Sequence, residues 1–585
     1  MKAYLEQELS AVLAEMGAPP DFVPEFEIPN NPEHGDLATN AALQLARHLR
    51  RAPRQIAEEI ATRLRQKPVD PRRIAAIEVA GPGFLNVRFA HTYLADRIAD
   101  ILRQGDAYGR TDVGQGQPAI VEYVSANPTG PLTVGHGRNA VLGDTIANLL
   151  DWTGYAVTRE YYFNDAGRQM RVLAQSVRAR YEQLLADPDM EPYLDLSGDL
   201  RARWERLLDT FDTKDIEVGE GETVEVPASF PEDGYLGEYI FDIARSLIER
   251  HGLDLLDDDD LTPFKQAAQE AIFADIERTI RRLGIEMDTY FNEHTLYETG
   301  KVWDVLEALR ERGHIYEADG AVWFRTSAFG KDKDTVLVKS TGEPTYRLPD
   351  IAYHVDKFER GFRKIVDVFG ADHIATYPDV IKGVELLGYD AGAIEVVIYQ
   401  FVTLVRGGQP VKMSTRKANY VTLDELMDEV GEDVTRFFFL MRSPNTHLEF
   451  DLDLAREASD KNPVFYLQYA HARICSILRK AEEVGVTFAE DADLTRLTHP
   501  SEEALAKTLL QLPEVIQRAA ETKEPQILAT YLRDVATAFS QFYRDCRIIG
   551  EAQALATARM HLARATRLTL ANGLTVLGIS APEHM

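Results

Sequence analysis

Apolar and polar positions along the chain predict an α/β region followed by a helical one. Near the start, alternating apolar positions predict strands at residues 74–80 and 84–89, and a 3.6-residue period predicts a helix at 41–49. Further on, the apolar run 119–124 predicts a buried strand, and the periodic segment 138–152 predicts the helix that follows it. Strands that alternate with helices are typical of a parallel sheet.

Three later apolar segments extend this pattern. Residues 156–162, 364–369 and 395–404 each predict a strand, with helices between them. After about residue 430 the strand pattern fades and helical periodicity continues to the end of the chain. The pattern therefore predicts a doubly wound α/β fold with an all-α region after it.

These patterns divide the chain into three predicted domains. We expect a small α+β domain at residues 1–105, an α/β domain at 115–430 and a helical domain at 431–585. A large, partly helical, acidic insertion is expected at about 165–290. A chain of 585 residues is too long for a single hydrophobic core, which agrees with this division.

Charge is distributed very unevenly. The formal net charge is −30, yet residues 1–110 carry −1 and residues 461–585 carry 0. Residues 181–260 hold 24 acidic and 6 basic side chains. Within the N-terminal domain, residues 47–73 hold nine basic and three acidic side chains, which form either a solvated helix face or a contact for a polyanion. The ends are thus compatible with nucleic acid, and the acidic centre serves solubility.

Composition narrows the cellular setting. No apolar run approaches eighteen residues, so no membrane-spanning helix is predicted. The acidic, amphipathic start is not typical of a signal peptide. The cysteines, Cys475 and Cys546, form no CxxC pair, so we expect no cysteine-based metal site and a reducing, cytoplasmic location.

The strand at 119–124 leads into a glycine-containing segment that can hold phosphate. Gly130, Gly135 and Gly137 are expected in the turn region, where glycine lets backbone N–H groups approach a phosphate before a helix N-terminus. His136 lies among them, where an imidazole can donate to a phosphate oxygen. The alternative is a histidine with a purely structural hydrogen bond.

A rival interpretation is a dinucleotide-dependent oxidoreductase. Residues 135–140 formally match G-x-G-x-x-A, and Glu160 lies roughly where such a fold has its acidic residue. The match is weak, because the glycines lie some ten residues beyond the strand. A Walker A sequence is absent from the chain.

A second cationic segment lies far along the chain at residues 411–417, VKMSTRK. Together the two segments can hold the triphosphate of ATP from two sides. SANPTGPL at 125–132, with His136, resembles the "HIGH" region of class I aminoacyl-tRNA synthetases in its arginyl-tRNA synthetase version, and KMSTR at 412–416 resembles the partner "KMSKS" loop. Residues 35–40, 81–86, 159–167, 462–474 and 578–583 also resemble the arginyl family.

The resemblance implies a class I synthetase: a Rossmann-type catalytic core, an N-terminal domain that contacts the tRNA elbow and a C-terminal all-α anticodon-binding bundle. It implies that arginine is activated by ATP and transferred to the 3′ adenosine of tRNA(Arg). Mg²⁺ is expected to accompany ATP, with no metal site built from protein ligands. The family also implies a monomer.

The resemblance assigns residues to four roles. It implies that Thr133, His136, Lys412, Ser414 and Arg416 are catalytic; that Gly130, Gly135, Gly137, Gly370, Asp372 and Met413 bind ATP; that Glu122, Asn127, Tyr346 and Asp350 bind arginine; and that Tyr466, Tyr469 and Arg473 bind tRNA. Without it, Asp350 and Asp372 are also explained as helix caps, and the three tyrosines as packing residues.

Two positions depart from the family pattern. Thr133 stands where the first signature histidine is usual, and Thr415 stands where the loop usually has lysine. A hydroxyl can donate to phosphate, and Arg416 or Lys417 can supply the missing charge. These departures leave a non-catalytic tRNA-binding relative as a further alternative.

Overall fold

The protein folds into an N-terminal α+β domain, a central domain built on a parallel sheet and a C-terminal helical bundle. This arrangement confirms the predicted fold class. Among the residues that the structure describes, no helix is both long enough and apolar enough to cross a membrane. The computed structural model describes residues 1–29, 31–66, 69–165, 167–219, 222–256, 259–411, 421–486, 488–489 and 492–585.

The N-terminal domain packs helices onto an antiparallel sheet of three strands, in the order β1 (Leu37–Thr39), β3 (Phe84–Phe89) and β2 (Ile74–Ala80). The predicted helix and both predicted strands are confirmed. The turn between the last two strands requires glycine at Gly83, because φ is +145° and a Cβ would lie 2.8 Å from the backbone carbon of Pro53. The elements of this domain are α1 (Lys2–Glu15), β1 (Leu37–Thr39), α2 (Ala41–Leu49), α3 (Pro53–Gln66), β2 (Ile74–Ala80), β3 (Phe84–Phe89) and the connecting α4 (His91–Gln104).

The central domain follows, and its elements occur in this order: β4 (Pro118–Glu122), α5 (Val134–Trp152), β5 (Ala156–Phe163), α6 (Arg168–Leu185), α7 (Leu200–Thr210), β6 (Thr213–Gly219), β7 (Glu222–Pro227), α8 (Glu238–His251), α9 (Thr262–Arg282), β8 (Thr289–Asn292), α10 (His294–Glu298), α11 (Lys301–Glu311), β9 (Ile315–Ala318), β10 (Ala321–Phe324), β11 (Thr335–Val338), α12 (Arg347–Glu359), β12 (Lys364–Gly370), α13 (Tyr377–Leu386), β13 (Ile394–Tyr399), β14 (Val402–Arg406), β15 (Gln409–Pro410), α14 (Leu423–Val430), α15 (Glu432–Leu440), β16 (Leu448–Asp451) and α16 (Leu452–Arg456).

The large sheet is parallel, with the strand order β13–β12–β4–β5–β8. After β4 the chain forms the neighbouring strand β5 on one side of β4, and later it forms β12 on the other side of β4. The winding therefore reverses at β4, and ligands of such sheets bind beside this point at the carboxyl ends of the strands. Ile120 and Val121 are fully buried, as expected for a strand that is covered on both faces.

The connection between β5 and β8 contains α6 to α9 and the hairpin β6–β7, and it includes the acidic residues 181–260. Its helices contribute Leu173, Ile240 and Ile276 to the main apolar core of the protein. The acidic side chains therefore lie on a segment that is packed against the large parallel sheet rather than on a separate tail.

The segment predicted as one strand at 395–404 is two strands, so that prediction is wrong. β13 ends at Tyr399 in the large sheet, whereas β14 belongs to a second sheet with the order β15–β14–β16. Between them, the carbonyl of Gln400 accepts a hydrogen bond from the guanidinium of Arg138 at 2.6 Å, and its N–H donates to the carbonyl of Pro444 at 2.9 Å. These bonds take up the backbone groups that would have continued the first ladder.

The C-terminal domain consists of α17 (Pro463–Glu483), α18 (Pro500–Leu509), α19 (Leu512–Thr522), α20 (Gln526–Asp545) and α21 (Gln553–Val576). It shares one apolar core with the central domain. The fully buried Arg436 joins the two domains, because its guanidinium donates to Asp144 at 2.5 Å, to the carbonyl of Leu577 at 3.0 Å and to that of Leu283 at 2.7 Å.

Candidate active site

A cleft of about 470 Å³ opens at the carboxyl ends of β4 and β12, beside the point where the sheet winding reverses. It brings together residues that the sequence places more than two hundred positions apart. Among the predicted site residues, the cleft is lined by Glu122, Asn127, His136, Tyr346, Asp350, Gly370 and Asp372.

The loop after β4 is held in an unusual backbone conformation. Val124 and Ser125 both have positive φ, at 64° and 37°. The N–H of Val124 donates to the side chain of Asn139 at 2.6 Å, and the hydroxyl of Ser125 donates to Glu122 at 3.1 Å. These contacts compensate a conformation that L-residues rarely adopt, and such strain clusters at functional sites. They turn the chain so that Asn127 is exposed at the cleft.

A capping box fixes the start of α5. Thr133 is the N-cap residue, and its N–H donates to Nδ1 of His136 at 3.1 Å. Because Nδ1 accepts, the proton of the neutral ring resides on Nε2, which is then a donor. Burial lowers the pKa of His136, so the ring is neutral at pH 7. The geometry thus provides a neutral hydrogen-bond donor at the N-terminus of a helix.

The helix predicted from residue 138 therefore begins four residues earlier, at Val134. The prediction that Gly135 and Gly137 lie in a turn is wrong, because both lie in the first turn of this helix. The sequence prediction missed the boundary because the third helical residue of the capping box is a histidine rather than the usual Glu or Gln. A Cβ on Gly137 would lie 2.6 Å from Leu423, so this glycine permits close helix packing. A Cβ on Gly130 would lie 2.9 Å from the hydroxyl of Tyr239.

Carboxylates with raised pKa values face the cleft. Asp350 lies in the first turn of α12, which begins at Arg347. Burial, with Glu122 and Glu293 adding to it, raises the pKa of Asp350 to about 7. Burial likewise raises the pKa of Glu293 to about 7, although the hydroxyl of Tyr162 donates to it at 2.8 Å. A cation bound in this cleft would lower both pKa values and so favour the ionised form of both carboxylates.

Glu293 was not predicted from the sequence. It follows β8, so it lies at the same edge of the sheet as the residues after β4 and β12. Its position directly after a strand was a usable signal, but β8 has only four residues, and its short pattern was not recognised.

A buried charge network lies beneath the arginine-binding residues of the prediction. Lys357 donates to Glu122 at 2.6 Å and to Asp367 at 2.7 Å, and His354 contacts Asp367 at 2.9 Å. Burial alone would raise the pKa of Asp367, but Lys357 and His354 outweigh it and lower that pKa below its ordinary range. Glu122 is thus already bonded to Lys357 and Ser125, and it contributes charge to the cleft floor.

The other predicted arginine and nucleotide residues lie around the mouth of the cleft. Tyr346 is 69% exposed at the N-cap of α12. Gly370 ends β12, and the carboxylate of Asp372 folds back to 2.5 Å from the position of a Cβ on Gly370. Asp372 lies within the short helix 371–375, whose N-cap residue is Gly370, so the helix-cap explanation of Asp372 is not supported. Next to it, His373 stacks on Phe369 at 5.0 Å.

The second signature segment lies mostly beyond the described residues. Lys412, Met413, Ser414, Thr415 and Arg416 all fall in the range 412–420, outside the described part of the chain. Both flanks are described: Val411 N–H donates to the carbonyl of Leu404 at 2.8 Å, and Leu423 N–H donates to the carbonyl of Leu132 at 2.8 Å. The later flank is therefore bonded to the residue that precedes Thr133.

The predicted tRNA-binding residues of α17 differ in exposure. Tyr469 is 46% exposed and Arg473 is exposed, whereas Tyr466 is half-buried and packs against the bundle core. The guanidinium of Arg473 lies 6.0 Å from the ring centroid of Tyr469 and 4.7 Å from that of Tyr543 on α20. The exposed group is thus Tyr469, Arg473 and Tyr543, and the last of these was not predicted.

Three family models together match most of the chain. Residues 3–89 match the arginyl tRNA synthetase N terminal domain, residues 97–441 match the class I (R) tRNA synthetase catalytic domain, and residues 467–585 match the DALR anticodon binding domain. The domain boundaries predicted at 105 and 430 stay predictions.

Curated relatives match over the full length. The chain is 62% identical to an arginine–tRNA ligase of Salinibacter ruber across all of both chains, and 48% identical to one of Desulfotalea psychrophila across 96% of this chain and 94% of that protein. The solved structure titled arginyl-tRNA synthetase of Thermus thermophilus shares the fold, with a TM-score of 0.72, 24% identity and full coverage of both chains.

These matches overturn the oxidoreductase alternative. The glycines of its supposed fingerprint lie inside α5, and the surrounding region matches a synthetase catalytic domain. The motif was misleading because so short a glycine pattern also arises where a helix needs glycine for close packing, as Gly137 does against Leu423. With a full-length relative at 62% identity, the chain belongs to the arginyl-tRNA synthetase family.

Proposed function

We propose that this protein ligates arginine to tRNA, using ATP and passing through arginyl-adenylate. The observation that carries the proposal is the cleft at the winding reversal of the sheet, which combines acidic side chains with a neutral imidazole donor. A guanidinium needs carboxylate partners, and an adenylate-forming step needs donors for the phosphate oxygens. The enzyme family and the full-length relatives named arginine–tRNA ligase support this function.

In this proposal, the arginine side chain occupies the acidic end of the cleft. Asp350 pairs with the guanidinium, Tyr346 covers it, and Glu122 and Glu293 add negative charge. Asn127 binds the amino-acid backbone from the loop after β4. Because burial raises the pKa of Asp350, a guanidinium bound beside it would stabilise the ionised carboxylate.

The nucleotide lies at the other end of the cleft. The arginine carboxylate attacks the α-phosphorus of ATP, and pyrophosphate leaves. His136 donates from Nε2 to a phosphate oxygen, and the hydroxyl of Thr133 at the N-terminus of α5 assists it. The family resemblance assigns the remaining nucleotide contacts to Lys412, Met413, Ser414 and Arg416, which lie outside the described residues. Gly370 and Asp372 meet the ribose. No covalent enzyme intermediate is required, so catalysis consists of positioning and charge stabilisation.

Mg²⁺ is proposed as a partner of ATP rather than of the protein. The described residues contain no group of three or more His, Cys, Asp or Glu side chains arranged to hold a metal ion. We expect the ion to be held mainly by phosphate oxygens and water, which is the usual mode for Mg²⁺ on nucleotides.

For tRNA, we assign base stacking to Tyr469 and Tyr543, with Arg473 between them. Tyr466 supports this surface from within the bundle. A monomeric state and a cytoplasmic location complete the proposal, and sedimentation together with cell fractionation tests them.

An aminoacylation assay with radiolabelled arginine, ATP and total tRNA tests the function. We expect charged tRNA to accumulate, and Asp350→Asn to abolish most of it. The non-catalytic alternative predicts tRNA binding without any charging. Omission of tRNA from a pyrophosphate-exchange assay tests whether activation needs tRNA, as the family resemblance implies.

A further inference from the structure

The acidic insertion directly contacts the loop that carries Asn127. Tyr239, the second residue of α8, donates its hydroxyl to the backbone carbonyl of Thr129. The phenol of Tyr235, just before that helix, also interacts with the side chain of Thr129. Two tyrosines of the insertion therefore converge on one residue of the loop, over a hundred positions earlier in the chain.

The ring of Tyr239 fits between two glycines. A Cβ on Gly130 would lie 2.9 Å from the Tyr239 hydroxyl and 3.1 Å from its Cζ, and a Cβ on Gly237 would lie 2.2 Å from Cε1. A Cβ atom essentially never lies within 3.0 Å of a non-bonded heavy atom, so any larger residue at either position must displace the ring. Because φ at Gly130 is not in the left-handed region, the glycine is required here by space rather than by backbone conformation.

The hydroxyl of another tyrosine, on the large sheet, also bonds to the loop after β4. Tyr161, at the end of β5, donates to the carbonyl of Ala126 at 2.7 Å. Within the loop, the N–H of Thr129 donates to the carbonyl of Asn127 at 2.7 Å. The exposed Asn127 therefore lies between two backbone carbonyls that accept hydrogen bonds from tyrosines. One tyrosine is on the large sheet and the other is on the insertion.

We propose that Tyr239 is a positioning residue, through which the acidic insertion holds the loop after β4 in the conformation that presents Asn127 to arginine. This inference rests on the proposed assignment of Asn127 to arginine binding. It gives the insertion a role in amino-acid recognition, and it explains the small residue at Gly130 by its contact with Tyr239 rather than with phosphate.

The first test removes only the hydroxyl. For Tyr239→Phe we expect KM for arginine to rise about fivefold in aminoacylation, since a neutral hydrogen bond is lost, while KM for ATP and kcat stay within about twofold. Tyr193→Phe is the matched control, because Tyr193 lies on the same insertion and is 81% exposed; it should leave all three constants unchanged. A merely structural role would lower the unfolding midpoint without altering KM for arginine.

The second test is a double-mutant cycle. Gly130→Ala should raise KM for arginine at least tenfold in the wild-type background, because the new methyl group displaces the Tyr239 hydroxyl. In the Tyr239→Phe background the same change should have a clearly smaller effect, since the nearest remaining atom lies 3.1 Å away. Additive effects of the two changes would refute direct coupling.

A third variant separates this proposal from the site assignment. If Asn127→Ala raises KM for arginine while Tyr239→Phe does not, the positioning role is wrong and the site assignment stands. If Asn127→Ala also leaves KM unchanged, the assignment of this loop to arginine binding is itself wrong.

Discussion

Replacement of Asp350 by asparagine separates the effect of the buried carboxylate on the free energy of unfolding from its effect on arginine binding. The change keeps the size of the side chain and removes the carboxylate that we assign to the guanidinium. Asp350 lies among Glu122 and Glu293, in a cleft where burial raises its pKa from 3.8 to about 7. The variant should therefore be more stable and less active than the wild-type protein.

The loss of activity follows from the pairing of charges. Removal of one partner of a buried, hydrogen-bonded ion pair costs about 3–5 kcal/mol. Applied to the arginine complex, this corresponds to a decrease of about 10²–10⁴-fold in kcat/KM for arginine, with KM for ATP nearly unchanged.

The gain in stability follows from the raised pKa. The folded state holds the Asp350 proton more tightly than the unfolded state does, so the penalty for this carboxylate is absent below about pH 4, grows between about pH 4 and 7, and is constant above that range. A shift from 3.8 to about 7 corresponds to at most about 4 kcal/mol. The unfolding midpoint of Asp350→Asn should therefore exceed that of the wild type at pH 8, by a margin that shrinks as the pH falls.

Thermal unfolding and steady-state aminoacylation of the same preparations test both effects. Asp304→Asn is the matched control, since Asp304 is also in the first turn of a helix, α11, but is exposed; it should change neither quantity. A fall in stability at pH 8, or a kcat/KM for arginine within threefold of wild type, would refute the reasoning.

Four further outcomes are expected. The kcat/KM of the wild type for arginine should fall as the pH drops below about 7, because protonation of Asp350 and Glu293 removes the charges that bind the guanidinium, and a profile flat to pH 5.5 would contradict this. His136→Asn should lower kcat about a hundredfold with KM for arginine within threefold, since the imidazole donor acts in the transition state, and an unchanged kcat would count against it. Arg436→Met should lower the free energy of unfolding by about 3–5 kcal/mol in urea titration, because Asp144 remains buried without its main partner, and a loss below 1 kcal/mol would be inconsistent with that role. Added KCl should raise the thermal midpoint, since a net charge of −30 repels itself and salt screens it, and an unchanged midpoint would oppose this.

Regular apolar patterns predicted most of the elements. The strands predicted at 74–80 and 84–89 have clear apolar patterns, and the structure confirms both with the same bounds. The start of α5 was missed because a histidine completes the capping box of Thr133, a combination that sequence rules do not anticipate. The break after Tyr399 was missed because a distant guanidinium, that of Arg138, interrupts the ladder.

The candidate site was predictable only in part. Asn127 and His136 lie in a recognisable motif, whereas Tyr346 and Asp350 were assigned only through the family resemblance. The structure places all four at one cleft. Glu293 was missed because the short strand β8 gives no pattern of its own, and its relevance appears only when its pKa and position are known. The contact between the insertion and the loop after β4 is purely tertiary, so no local pattern could have indicated it.

The most direct test of the account is a crystal structure with a non-hydrolysable arginyl-adenylate analogue. We predict that the guanidinium lies within about 3 Å of the Asp350 carboxylate and that the phosphate-like group lies within hydrogen-bond distance of His136. An analogue bound outside this cleft, or bound in it with the guanidinium directed away from Asp350, would contradict the account.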